Sequence, residues 1–472
     1  MTRYTLAVDI GASSGRLILG SIQNEKLELN EIHRFENKMI KKGQHYCWDM
    51  DRLFLEVKKG IKKCNDLGIM PESIGIDTWA VDFVLLDENG ELLTDAVAYR
   101  DDRTDGMMEE VFQKIIKERL YLETGVQFQK FNTIYQLYAL KKTQPEVLEK
   151  AKTFLMIPDY LHYLLSGIPA NEYTNASSTQ LLNAFTKKWD KAILDILEIK
   201  SEMFQDIKKP NTVLGNLKPE LVEEFGFDMK VILPATHDTG SAVISVPELN
   251  DTIYISSGTW SLIGVENRFP ICVTKALDYN FTNEGGIDYR FRFLKNIMGL
   301  WMIQEVRRNY NNQYSFAEFV DLANAAHDFR SIVNVNDNRF LNPDNMVEEI
   351  QNYCVETGQQ VPSTPGEIAK CIYDSLVESY ITAINEIEEI FEKTFPSINI
   401  IGGGCQNEML NQLLAEATKK DVYAGPIEAT AIGNIVSQFI ALGEMASLSE
   451  ARQMIKKSFE IKVYQATEDV MK

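Results

Sequence analysis

Two acidic residues of this chain stand where a carboxylate is costly without a partner or a task. Asp9 is embedded in Leu6-Ala7-Val8-Asp9-Ile10 and is followed by Gly11-Ala12-Ser13-Ser14-Gly15-Arg16. A buried ionised carboxylate needs something to pair with it. A loop of Gly, Ala and Ser offers backbone N–H groups at close range to an anion. The stretch fits a site for a phosphate chain and its metal ion. Taken alone, it equally fits a hairpin with an edge Asp. Asp238 lies in Thr236-His237-Asp238-Thr239, after the apolar run Val231–Pro234 and at the opening of an expected helix. An Asp there is often only a cap. Its alternative use is as a general base, taking a proton from a substrate hydroxyl whose oxygen then attacks a phosphoryl group in line. His237 is either a second substrate contact or a packed ring.

These residues need elements to hold them. Tyr4–Leu19 reads as two strands around the Gly11–Gly15 turn, and Ser73–Ile76 with Val81–Leu86 as a second strand pair before the turn Asp87-Glu88-Asn89-Gly90. Helical spacing covers Glu109–Leu122, Thr133–Lys142 and Val147–Lys152. Beyond Pro247–Asp251, the run Ile253–Ile263 repeats the opening pattern of strand, small-polar turn and strand. A long helix, Pro365–Phe391, then a strand, Ile398–Ile401, lead to Gly402-Gly403-Gly404 and a helix from about Asn407. The repetition predicts two similar α/β domains, residues 1–246 and 247–472, with a cleft between them. No G-x-x-x-x-G-K-[ST] run occurs, and Asn407 breaks the G-x-G-x-x-G pattern of the glycine run. A triple glycine after a strand still admits close backbone approach by a flat or charged ligand, or else serves as a strand–helix packing turn.

The chain has 472 residues, beyond what one ordinary core accommodates. Its net charge of −20 argues against nucleic-acid and anionic-membrane partners, which need basic patches. No apolar run reaches the roughly 18 residues of a membrane span, and no leader precedes the first strand, so a cytoplasmic location is expected. The six cysteines and five histidines form neither a C-x-x-C pair nor a zinc-type cluster.

A set of blocks runs the length of the chain: Asp9–Arg16, Glu31–Phe35, Trp48-Asp49, Ser73–Trp79, Val81–Asp87, Ala98–Asp101, Glu172–Ala176, His237–Thr239, Ser256–Leu262, Thr282–Gly286, Lys295–Trp301 and Gly402–Asn407. In these the chain resembles the FGGY carbohydrate kinases. The resemblance implies two actin-like (ribonuclease H-like) domains, with ATP and sugar in the interdomain cleft. It implies transfer of the γ-phosphate of ATP, with Mg²⁺, to the 1-hydroxyl of L-rhamnulose. A sibling activity on L-fuculose or D-xylulose is the nearest alternative, and a sugar-independent actin-like ATPase a more distant one. Asp238 matches the family's catalytic base. Ala12, Ser13, Ser14, Gly15, Arg16, Thr259, Gln304 and Gly402 match its ATP positions. Ala80, His237, Asp238, Thr239 and Asn296 match its sugar positions. No metal ligand is assigned by the resemblance, although Asp9 is expected to bear on Mg²⁺ through water. Ala80 stands where a Gly is familiar, so a modest change of sugar preference is expected. Cys354 and Cys371 match positions described as a disulfide, an unexpected bond in a reducing compartment. The expected partners are the sugar and ATP alone, with the chain a monomer or weak homodimer.

Overall fold

The computed structural model describes residues 2–247 and 251–466, so part of the connecting stretch Pro247–Asp251 lies outside the described residues. The chain forms two compact units. One comprises the chain to Pro247 together with Glu266–Phe293 and Ala429–Ser458; the other comprises residues 248–265, Leu294–Glu428 and the stretch from Phe459.

In the first unit β1 (Tyr4–Ile10) and β2 (Ser14–Gln23) form the hairpin read from the sequence. With β3 (Lys26–Glu36), β4 (Ser73–Thr78), β5 (Thr212–Asn216) and β6 (Lys230–Leu233) they make a six-stranded sheet in the order β5-β6-β4-β1-β2-β3. After Tyr4 every residue of β1 is buried, as befits a strand covered on both faces. Register decides the chemistry. Asp9 lies opposite Arg16 across the hairpin and beside Asp77 on the parallel β4. The helix Ala429–Ala441 packs on β1, β4 and the helix Asp238–Ile244. Gly433 permits that last contact, because a Cβ there would fall 1.8 Å from the carbonyl oxygen of Ser241.

The second unit repeats the plan. β7 (Thr252–Ser257) is antiparallel to β8 (Trp260–Asn267) and parallel to β10 (Ser397–Ile401), as β1 is to β2 and β4. With β9 (Phe291–Met298), β11 (Asp421–Ala424) and β12 (Lys462–Tyr464) the order is β9-β8-β7-β10-β11-β12. The helix Pro365–Phe391 has the bounds its sequence predicts, with Pro365 in its first turn and a Thr364–Glu367 capping box.

Two local expectations are corrected. Ser73–Thr78 and Phe83–Leu86 are both strands but not partners; the first pairs with β1 and β6, the second with Thr153–Met156. Their proximity in sequence misled, because both find partners distant in the chain. Glu109–Leu122 is two helices, Met107–Phe112 and Lys117–Thr124. The chain turns extended at Ile116 while its neighbour Ile115 is buried. Cys354 and Cys371 are buried free thiols. Their mutual hydrogen bond keeps the proton on Cys371, whose pKa is raised.

Candidate active site

The carboxylates of the first unit are held in graded states of satisfaction. Arg16 donates twice to Oδ2 of Asp9, from Nε at 3.0 Å and Nη2 at 2.9 Å. Among the described residues no hydrogen bond falls on Asp9 Oδ1. Asp77 is fully buried and takes a 2.6 Å hydrogen bond from Asn434 on Oδ2, while its Oδ1 has no partner. Burial, reinforced by the neighbouring Asp9, pushes the Asp77 carboxyl well above the ordinary range. Burial and the neighbouring Asp9 thus both disfavour a second charge at Asp77.

Asp238 opens the helix Asp238–Ile244, at the end of the loop leaving β6. Its Oδ1 accepts from the amide of Thr239 at 2.5 Å and the Thr239 hydroxyl at 3.1 Å, and His237 Nε2 lies 3.4 Å from the same oxygen. No hydrogen bond among the described residues reaches Oδ2. The side chain keeps 31 % of its surface exposed. One oxygen is anchored and the other remains open. Burial raises the Asp238 pKa; the adjacent His237 opposes this and Asp9 adds to it. A carboxylate of raised basicity with one open oxygen is suited to accept a proton.

The loop carrying Asp238 is tied from below by Glu172, which is completely buried. Glu172 Oε2 accepts from the amide of Thr236 at 3.0 Å, its hydroxyl at 2.7 Å and the Thr174 hydroxyl at 2.5 Å, and Oε1 accepts from the Thr174 amide at 2.9 Å. Thr174 Oγ1 in turn accepts from the amide of His237 at 3.2 Å. The Thr78 amide donates to Thr236 O at 2.9 Å, which joins the loop to the segment bearing Ala80. The structure thus brings Ala80 and His237–Thr239 onto neighbouring loops of one unit.

That second loop is strained. Val81 has φ of +67°, an outlier for a β-branched residue. The Thr133 hydroxyl donates to Val81 O at 2.6 Å and holds it there. Next to it, buried Asp82 accepts from the indoles of Trp48 at 2.7 Å and Trp79 at 2.9 Å, and from Gln136 at 3.0 Å. Burial pushes the Asp82 carboxyl up to about 6 despite these donors.

The second unit offers a cavity of about 510 Å³, lined by Gly258, Leu300, Ile303, Gln304, Phe316, Ala317, Val320, Tyr373, Gly403, Gly404, Gln406 and Asn407. Leu300 N donates to Gly258 O at 3.0 Å and Trp301 N to Thr259 O at 3.1 Å, so the helix bearing Gln304 begins at the β7–β8 turn. Gly402 has φ of +84°, and a Cβ on Gly404 would stand 2.0 Å from Ser257 Oγ. The glycine run therefore lies against β7, as a strand-end ligand site requires. Gln304 lines the cavity, with Thr259 and Gly402 adjoining lining residues; Asn296 stands on β9. The predicted residues thus divide into two groups. Asp9, Ala12–Arg16, Ala80 and His237–Thr239 belong to the first unit, and Thr259, Asn296, Gln304 and Gly402 to the second.

The apolar wall of Leu300, Ile303, Phe316, Ala317 and Val320 escapes sequence reasoning, because apolar positions on helices read as core. The sequence carries one signal, the helix-capping pattern Ser315–Glu318 with an apolar Phe316 inside it; the structure leaves that ring 47 % exposed. The roles of Glu172, Glu284 and Arg292 also escape it, since Glu172 reaches the base loop through Thr236, and Glu284 and Arg292 through His237, each far along the chain.

Family models place this chain. Residues 4–245 match the N-terminal domain, and residues 253–442 the C-terminal domain, of the FGGY family of carbohydrate kinases. The chain belongs to the FGGY family of carbohydrate kinases. It is 68 % identical to a protein of Halalkalibacterium halodurans named rhamnulokinase, over 98 % of each chain. It is 47 % identical to a Bacillus subtilis protein of the same name, covering 98 % of this chain and 95 % of that one. Its fold is that of gluconate kinase from Lactobacillus acidophilus, with a TM-score of 0.83 at 20 % identity over 99 % of this chain and 94 % of that one. Plasmodium falciparum glycerol kinase, solved with ADP, gives 0.81 at 15 % identity over the same shares. The fold is thus the two-domain actin-like, ribonuclease H-like one. As a carbohydrate kinase of this family, the chain uses ATP as co-substrate. Among the described residues no helix is long and apolar enough to cross a membrane.

Proposed function

We propose that this chain transfers the γ-phosphate of ATP to the 1-hydroxyl of L-rhamnulose, giving L-rhamnulose 1-phosphate and ADP. The sugar follows from the similar proteins named rhamnulokinase. The observation that carries the chemistry is the one-sided carboxylate of Asp238, with its donors on Oδ1 and Oδ2 open. In this reading Oδ2 accepts the 1-hydroxyl proton as that oxygen attacks the γ-phosphorus, and ADP departs with the electrons of the broken P–O bond. Ala80, His237, Thr239 and Asn296 orient the sugar. Ala12–Arg16, Thr259, Gln304 and Gly402 hold the nucleotide, with adenine against the apolar wall and backbone glycines of the second unit.

Among the described residues no group of three His, Cys, Asp or Glu could cage a metal ion. Mg²⁺ needs no such cage, since it keeps waters and binds through one or two carboxylates and substrate phosphates. Asp9 fits that role, because Arg16 engages only its Oδ2. When bound there, Mg²⁺ neutralises charge on the phosphates.

A cytoplasmic, monomeric or weakly dimeric enzyme that binds no nucleic acid or membrane completes the proposal. The test is ADP release by the purified full chain with L-rhamnulose, L-fuculose and D-xylulose in separate reactions. L-rhamnulose is expected to give the highest kcat/KM. A preference for either of the others refutes the sugar assignment, and release independent of every sugar refutes the kinase chemistry.

A further inference from the structure

A buried ion pair lies behind the proposed base, against His237. Side chains of Arg292 and Glu284 keep 1 % and 7 % of their surface, and Arg292 Nη2 lies 3.0 Å from Glu284 Oε2. The same Nη2 lies 3.0 Å from Nδ1 of His237. Arg292 Nε donates to Gly285 O at 2.8 Å, whereas its Nη1 is buried without a partner. The guanidinium thus leaves one of its own nitrogens unsatisfied while reaching the histidine. Despite burial, the adjacent Arg292 holds Glu284 below the usual carboxylate range, so the pair is ionised.

A guanidinium carries donors and no acceptor. The ring nitrogen it meets at 3.0 Å must present a lone pair, which leaves the His237 proton on Nε2. Nε2 is the nitrogen 3.4 Å from Asp238 Oδ1. Glu284 Oε2 lies 3.3 Å from Nδ1. Without Arg292 that carboxylate draws the ring proton to Nδ1 and turns a lone pair of Nε2 towards Asp238.

We propose that Arg292 and Glu284 are positioning residues that fix His237 as its Nε2–H tautomer. The ring then turns its N–H, not a lone pair, towards Oδ1 of Asp238 at 3.4 Å and leaves Oδ2 as the oxygen that takes the substrate proton. Glu284 keeps the guanidinium in register, and Arg292 sets the direction of the ring. This rests on the reading of Asp238 as the base.

The test is long-range ¹H–¹⁵N spectroscopy of the full chain labelled at histidine, at neutral pH. The chain has five histidines, and the resonances missing from His237→Gln identify the ring of interest. The Nε2–H tautomer is expected in the wild type and in Arg292→Lys, which keeps a donor-only cation. In Arg292→Met the proton is expected on Nδ1. The kcat of that variant should fall about 10- to 100-fold, with KM for L-rhamnulose changed less. An Nδ1–H or doubly protonated His237 in the wild type overturns the proposal, and that result requires no Arg292 variant to fold. So does an unchanged tautomer in Arg292→Met, even with reduced kcat, since the loss is then merely structural. Absence of ketose-dependent ADP release from the wild type refutes the functional reading instead, and leaves the tautomer assignment standing.

Discussion

The base loop of the first unit and the cavity of the second are built on opposite principles. Around Asp238 almost every wall is a charge or a hydrogen bond. Glu172 gathers the backbone and hydroxyls of Thr174 and Thr236, Arg16 holds Asp9, and Asn434 holds Asp77. The cavity of the second unit has an apolar wall, three glycines, and polar side chains only from Gln304, Tyr373, Gln406 and Asn407. Chemistry that moves a proton needs a base at fixed position and basicity, which only a satisfied polar network provides. Holding a flat base needs shape and close backbone approach. The two regions should therefore fail in different ways when altered.

The largest effect on folding is expected at the polar site. Glu172→Ala strands several buried donors, three of them the backbone amides of Thr174, Asn175 and Thr236, and should cost about 3 kcal/mol or more. Urea unfolding measures it. Phe316→Ala, at the half-exposed wall of the cavity, should cost about 1 kcal/mol or less; equal losses at the two positions break the contrast.

A smaller effect belongs to Gly404→Ala. The added methyl meets Ser257 at 2.0 Å, and such overpacking costs about 1–3 kcal/mol. Here the loss should appear as a KM for ATP raised about tenfold, with KM for the ketose and kcat near wild type. A change in ketose KM alone moves the glycine run out of the nucleotide site.

The smallest shift is one of pH. A base works only when ionised, and burial raises the Asp238 pKa in the folded protein. The kcat should thus fall as pH drops through a value above the ordinary carboxylate range of about 4. Asp9 contributes to that rise, so Asp9→Asn should move the acid limb of the kcat profile to lower pH, whatever its effect on the plateau. Phe316→Ala should leave the limb in place. A limb that moves upward in Asp9→Asn contradicts the electrostatic account.

Local patterns reveal much of this molecule. The hairpin around Gly11–Gly15, its repeat around Gly258 and the capped helix Pro365–Phe391 follow from turn chemistry and periodicity within a few residues. Asp9 and Asp238 stand out because a carboxylate at the end of an apolar run asks for a reason. What stays hidden is set by partners distant in the chain. Nothing near Val81–Leu86 shows that this strand pairs with Thr153–Met156. Nothing near Glu172 shows that its acceptors serve Thr236. Arg292 resembles any charge within a strand until its nitrogen is found beside His237. The internal duplication is legible because it repeats local patterns; the network behind the base is not, because it repeats none.

Asp238, as the group that takes the proton, is the centre of the proposed chemistry. The most direct measurement is calorimetric binding of L-rhamnulose to Asp238→Asn, together with its single-turnover rate of phosphoryl transfer at saturating ATP. The amide retains the shape and the Oδ1 contacts but loses the basic oxygen. Binding within a few-fold of wild type with transfer slower by about 10²- to 10⁴-fold is the expected result. Transfer near the wild-type rate, with the sugar bound, contradicts it.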